Sequence, residues 1–114
     1  MFKIQSQLTL RACLLLTLFI VSLNIARAGC AGSIKNSQVQ GTAYKQYYRG
    51  SSQTRSWQSC RSACNKNAYC WRWQYVSARQ NTVCSFFDDT ATIKRNVCST
   101  TQYCQASWTS GYCN

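Results

Sequence analysis

Residues 56–66 (SWQSCRSACNK) carry Trp57, Cys60 and Cys64 at i, i+3 and i+7, one face of a 3.6-residue period, with Gln58, Arg61 and Asn65 on the other sides. That spacing predicts a short helix, and the hydroxyl of Thr54 or Ser56 can cap it by accepting from first-turn amides. So short a helix is not stable alone, and its cysteines would staple it to the rest of the chain. The period then changes. In residues 70–76 (CWRWQYV), Trp71, Trp73 and Tyr75 fall on one side of a predicted strand and Cys70, Arg72, Gln74 and Val76 on the other. A polar turn from Ser77 to Thr82 and a second strand, Val83 to Phe87, complete a hairpin. A shorter strand is expected around Ala91 to Lys94. Upstream, residues 29–56 are rich in Gly, Ser, Gln and Tyr, with loose alternation around 41–48 that predicts one or two irregular strands and a turn at Gly50-Ser51-Ser52. Downstream, three cysteines among Ser, Thr, Gln and Gly in residues 98–113 read as a cross-linked loop segment. No repeat, linker or low-complexity tract divides this pattern, so one domain is expected.

The apolar positions at the N-terminus have a different meaning. Lys3 and Arg11 precede an apolar run from Ala12 to Leu23, and Ala26-Arg27-Ala28 has the small-x-small form of a signal-peptidase site. The run is shorter than the about 20 residues a membrane-spanning helix needs. Residues 1–28 are therefore expected to be a cleaved secretory signal, leaving 29–114 as a soluble mature domain, extracellular or periplasmic, with no transmembrane segment. Cys30 lies just past the site, but Arg27 stands where a lipoprotein signal needs Leu, Val or Ile, which argues against a lipid anchor.

Composition sharpens the picture. The 114 residues contain nine Cys, no His and no Pro. Cys13 lies in the signal, so eight cysteines remain in a small exported domain, the usual mark of a disulfide framework. Cys60-x3-Cys64-x5-Cys70 superficially resembles a zinc cluster, but paired knuckles and His are missing, so disulfides are favoured over metal. A domain of this size buries only a modest core, and such cross-links matter to it.

The lack of His removes the commonest general base and the Ser/Cys–His nucleophile pairs. Asp88-Asp89 are the only acidic residues. Neighbours on a strand point to opposite faces, so they do not suit the paired carboxylates of glycoside hydrolysis, and two carboxylates are too few for calcium. A turn, or a salt bridge to a nearby Arg, is the expected use of the pair. No glycine-rich phosphate loop is present. A non-enzyme without cofactor or metal is expected.

Charge and aromatics remain. Residues 29–114 hold ten Lys and Arg against the two Asp, a net +8, spread along the chain with no run longer than Lys94-Arg95. Such charge attracts polyanions if folding gathers it on one face, and otherwise serves solubility. Thirteen aromatics are too many for a small core to bury with their polar tips satisfied. Trp57 is expected under the helix. Trp71, Tyr44, Tyr47, Tyr48, Trp108 and Tyr112 are candidates for the surface, where Trp and Tyr beside Arg72 would form a sugar-stacking or protein-docking site. Aromatic–basic interleaving also suits single-stranded nucleic acid. An exported protein rarely meets that ligand, and no nucleic-acid partner is expected.

From Trp57 to Asp88, the order Cys60-x3-Cys64-x5-Cys70-x2-Trp73-x-Tyr75, with Cys84 on the next strand, resembles the PAN/Apple domain family. The resemblance implies a helix carrying two cysteines packed on a small antiparallel sheet, with Trp73 and Tyr75 in the core. It also implies the bridges Cys60–Cys84 and Cys64–Cys70, with the Apple form adding Cys30–Cys113; Cys98 and Cys104 are then left to pair. The expected fold is thus a small α+β disulfide-rich domain, one short helix on a four- to five-stranded antiparallel sheet. The expected function is secreted recognition or adhesion, binding carbohydrate or protein, with candidate ligand-binding residues Trp71, Tyr44, Tyr47, Tyr48, Arg72 and Trp108. The alternative is a cationic, Cys-rich effector acting on anionic membranes or polyanions.

Overall fold

The computed structural model describes residues 29–98 and 104–114, and the expected signal at 1–28 lies outside the described residues. The helix forms as its spacing predicts. Helix α1 spans Trp57–Asn65, and the Ser56 hydroxyl caps it by accepting from the Ser59 N–H at 3.1 Å. Cys60 and Cys64, one turn apart, face inward and are fully buried.

The sheet beneath α1 comes from five segments. Strands β1 (Ile34–Lys35), β3 (Lys45–Tyr48), β4 (Arg72–Ala78), β5 (Thr82–Phe87) and β7 (Ala106–Tyr112) pair in the order β1-β7-β4-β5-β3, every pair antiparallel. Strands β2 (Ser37–Gln40) and β6 (Thr92–Arg95) form a separate two-stranded ribbon. The expected α+β fold is therefore observed, with a single α-helix on five strands among the described residues.

The tail differs from expectation. Residues 106–112 form a strand, not a loop, and pair along their whole length with β4. The segment ASWTSGY hides its strand character because its inward positions are small or hydroxyl-bearing: Thr109 and Ser110 are buried, and the Ser110 and Ser37 hydroxyls hydrogen-bond to each other. Buried hydroxyls with partners incur little penalty, so no apolar alternation was needed.

Two cores result, one on each side of the sheet. On the helix side Trp73, Phe86 and Cys84 meet the two helix cysteines. Trp57 lies parallel to Trp73, with ring centres 6.2 Å apart and planes 9° from parallel. Trp73 is directly opposite Gly111 on β7, and a Cβ there would come within 2.7 Å of the indole nitrogen. Only glycine leaves room for the ring. On the other side, Val39, Phe87 and Ala91 form a smaller cluster where the β2–β6 ribbon lies on the sheet. The Val39 N–H donates to Gln74 Oε1 at 2.8 Å, so the ribbon is also held by a polar contact.

Four disulfides tie these parts: Cys60–Cys84 joins helix to β5, Cys64–Cys70 joins helix to the start of β4, Cys30–Cys113 joins the chain ends, and Cys98–Cys104 closes a short loop. Backbone bonds zip the same ends, from Gly29 N–H to Asn114 O (2.7 Å) and from Asn114 N–H to Gly29 O (3.0 Å).

Candidate functional site

The candidate residues separate into three groups. Arg72 and Trp71 lie at the start of β4. The Arg72 guanidinium donates to Ala91 O (3.1 Å), Trp71 O (2.9 Å) and Asp89 O (3.4 Å), and it sits 4.5 Å from the centre of the Tyr112 ring. Those partners fix the chain as it leaves β5, so much of the guanidinium's donor capacity is used internally. Trp71 is half-buried, its backbone paired with Phe87 and Cys113.

Tyr47 and Tyr44 form the second group, beside the helix-side core. Tyr47 is half-buried and meets Phe86 edge-on at 5.3 Å, with the Lys45 ammonium 5.4 Å from its ring centre. Tyr44 is exposed, lies 6.4 Å from the Phe86 ring, and its hydroxyl donates to Asn67 Oδ1.

Tyr48 and Trp108 form the third group, and the strand register connects them. Tyr48 on β3 is opposite Val83 on β5, Val83 is opposite Val76 on β4, and Val76 is opposite Trp108 on β7. Directly opposed residues share a face, so these four side chains make one row across four strands. Three strand spacings of about 4.8 Å give the row a length of about 14 Å. It lies on the face away from α1, beside the part of that face covered by the β2–β6 ribbon. Tyr48 is 62% exposed, and Val83, Val76 and Trp108 are half-buried. The next row along holds Gln46, Ser85, Gln74 and Ser110. Gln46 Nε2 donates to Ser85 Oγ (3.2 Å) and Gln46 Oε1 accepts from the Tyr48 hydroxyl (3.0 Å), which ties the ring down along the sheet.

The face thus presents two amphipathic rings with aliphatic side chains between them; of the polar row beside them Gln46 is exposed, while Ser85, Gln74 and Ser110 are buried. Sequence reasoning named the two rings but not Val76 and Val83, because the register that joins them is long-range. It also passed over Tyr69, at 77% the most exposed of the large apolar side chains among the described residues, which follows α1 in a tight turn where its N–H donates to Asn67 Oδ1.

The remaining polar clusters have structural uses. Asp88 Oδ1 accepts from the Thr90 hydroxyl (2.5 Å) and the Thr90 N–H (3.0 Å), closing the turn after β5. These bonds hold its carboxyl below the ordinary aspartate value, the hydroxyl acting most strongly, then the backbone bond, with Arg72 assisting. The sulfurs of Cys30, Cys64 and Cys113 lie within 4.8 Å of one another. All three are in disulfides, so while bridged they offer no thiolate to a metal. No family model, no curated protein and no solved structure matches this chain.

Proposed function

We propose that residues 29–114 form a secreted, non-catalytic recognition module on a PAN/Apple-like frame, binding carbohydrate through the row Tyr48–Val83–Val76–Trp108. The observation that carries this reading is the register placing two Tyr/Trp rings and two valines in line on one accessible face. Flat rings stack on the C–H faces of sugars, and the exposed Gln46 amide beside them suits a sugar hydroxyl. The row is one residue wide, whereas a stable protein–protein interface covers about 800 Å² on each partner, which favours a slender ligand over a protein. Four disulfides in so small a domain suit an oxidising, exported setting.

The test is a panel of neutral and acidic glycans at two salt concentrations, read for the wild type, Trp108→Ala and Tyr48→Ala. Saturable binding to a neutral glycan that survives the higher salt and weakens about tenfold or more in both variants is the expected result. Binding to polyanions and anionic vesicles alike, lost with salt and unchanged in both variants, would overturn it in favour of the cationic effector.

A further inference from the structure

The basic residues are a resource the aromatic row does not use. Of the ten in residues 29–114, three lie over rings: Lys45 on Tyr47, Arg61 on Trp57 and Arg72 on Tyr112. Two others, Arg49 and Arg55, line one cleft of about 310 Å³ with Ser51, Thr54, Tyr75 and Thr82. Tyr75 and Thr82 share the helix-side face with Trp73, so this cleft and the aromatic row lie on opposite faces of the sheet.

A turn builds the cleft. After β3 the chain passes through Gly50 at φ +99°, a conformation that favours glycine, and a single 3-10 turn at Ser52–Thr54 brings Arg55 back beside Arg49. The floor is held by its own bonds. The Tyr75 hydroxyl donates to Thr54 O (3.2 Å), the Thr54 hydroxyl to Ser51 O (3.0 Å), and the Thr54 N–H to Ser51 O (3.2 Å). Against that fixed floor, neither guanidinium has a hydrogen-bond or ion-pair partner among the described residues.

No carboxylate side chain lies near enough to supply one. Thr82 borders the cleft, whereas Asp88 and Asp89 follow the far end of β5, about 17 Å or more along the strand. That separation is about twice the Debye length of ~8 Å at physiological salt. Two forked cations over a hydroxyl-lined hollow, at the lower end of the about 300–1,000 Å³ range of small-ligand sites, fit a small anion that also carries hydroxyls.

We propose that the Arg49–Arg55 cleft binds one acidic sugar residue of a polysaccharide, its carboxylate or sulfate between the two guanidiniums and its ring hydroxyls on Ser51, Thr54 and Thr82. The inference takes its ligand class from the carbohydrate reading above, yet it uses a different face and stands on separate residues.

Calorimetric titration of the oxidised protein tests it with a uronate oligomer, a sulfated oligomer, a neutral oligomer of equal length and phosphatidylglycerol vesicles. The uronate or the sulfated oligomer binds, and the tighter of the two identifies the anionic group. The pair Arg49→Gln/Arg55→Gln weakens that binding by about tenfold or more. Lys94→Gln/Arg95→Gln, the same charge change on β6, alters it less than about twofold. Arg49→Lys/Arg55→Lys keeps the charge but loses the fork, so it also weakens binding. Neutral-oligomer affinity is equal in all these proteins. Equal weakening by the two charge-matched Gln pairs would overturn the cleft and leave only diffuse attraction. Vesicle binding lost solely in Arg49→Gln/Arg55→Gln, with no oligomer bound, would overturn the sugar. Failure of the wild type to bind the neutral oligomer would refute the aromatic row and leave the result for the cleft standing.

Discussion

The two faces of the main sheet use the same strands differently. On the helix side, Trp73, Phe86 and Cys84 are sealed from solvent by α1, which two disulfides hold down. On the other side, the β2–β6 ribbon covers only the part around Gln74, Ser110 and Phe87, and the row from Tyr48 to Trp108 is left accessible. One side packs Trp73 and Phe86 beneath the helix, and the other packs Phe87 under the ribbon but displays Tyr48 and Trp108. A small domain can display apolar rings only if something else maintains the fold, and here three of the four covalent staples are part of, or packed against, the helix-side core, while Cys98–Cys104 lies beside Asn36 at the end of the ribbon. On the proposed reading, stability rests mainly on one face and recognition on the other, so substitutions on the two faces should differ in kind.

The largest effect is expected from Trp73→Ala, which empties the packed side and should cost about 3–5 kcal/mol in thermal or denaturant unfolding of the oxidised protein. Removing a staple comes next. Cys60→Ala/Cys84→Ala opens a loop closed across 24 residues and should cost about 3.5 kcal/mol, whereas Arg79→Ala at the hairpin tip should leave the melting temperature nearly unchanged. Gly111→Ala drives a methyl into the Trp73 ring and should cost about 1–3 kcal/mol, while Gly32→Ala, whose Cβ would meet nothing within 4 Å, provides a comparison for backbone strain alone. On the open face, Trp108→Ala should lose glycan binding with a smaller loss of stability than Trp73→Ala; equal unfolding losses would erase the distinction between the faces.

The smallest effect concerns acid. The lowered Asp88 value means its contribution is complete above the ordinary aspartate value and disappears as pH falls through the lower folded value. Thr90→Val should bring the Asp88 carboxyl resonance to titrate at higher pH, and an unchanged titration would deny Thr90 that role.

The helix–hairpin unit was legible because its signals are local: the Ser56 cap, the Trp57/Cys60/Cys64 face and the alternation through Trp73 and Tyr75 all act within a few residues. Strand β7 was not legible, since Ser110 and Thr109 are buried by virtue of partners distant in sequence, such as Ser37. The ribbon was half legible. Its β6 strand was expected near its observed place, but pairing with β2 across more than fifty residues leaves no local trace. The same holds for the candidate site. Tyr48 and Trp108 could be named as rings that a small core would not hold, but their alignment through Val83 and Val76 exists only after four strands pair. The Arg49–Arg55 cleft likewise depends on how Gly50 turns the chain.

The joined ends have a mechanical consequence. Cys30 and Cys113 have Cα atoms 4.0 Å apart, and a covalent bond spans that gap. Tension entering at Gly29 and leaving at Asn114 passes through this one cross-link and bypasses sheet and helix. The domain can therefore be pulled by its ends, or set within a longer tether, without its strands being peeled apart. Under load it would behave as a knot in a rope: it adds almost nothing to the length, and it keeps its shape until a sulfur–sulfur bond is chemically cut.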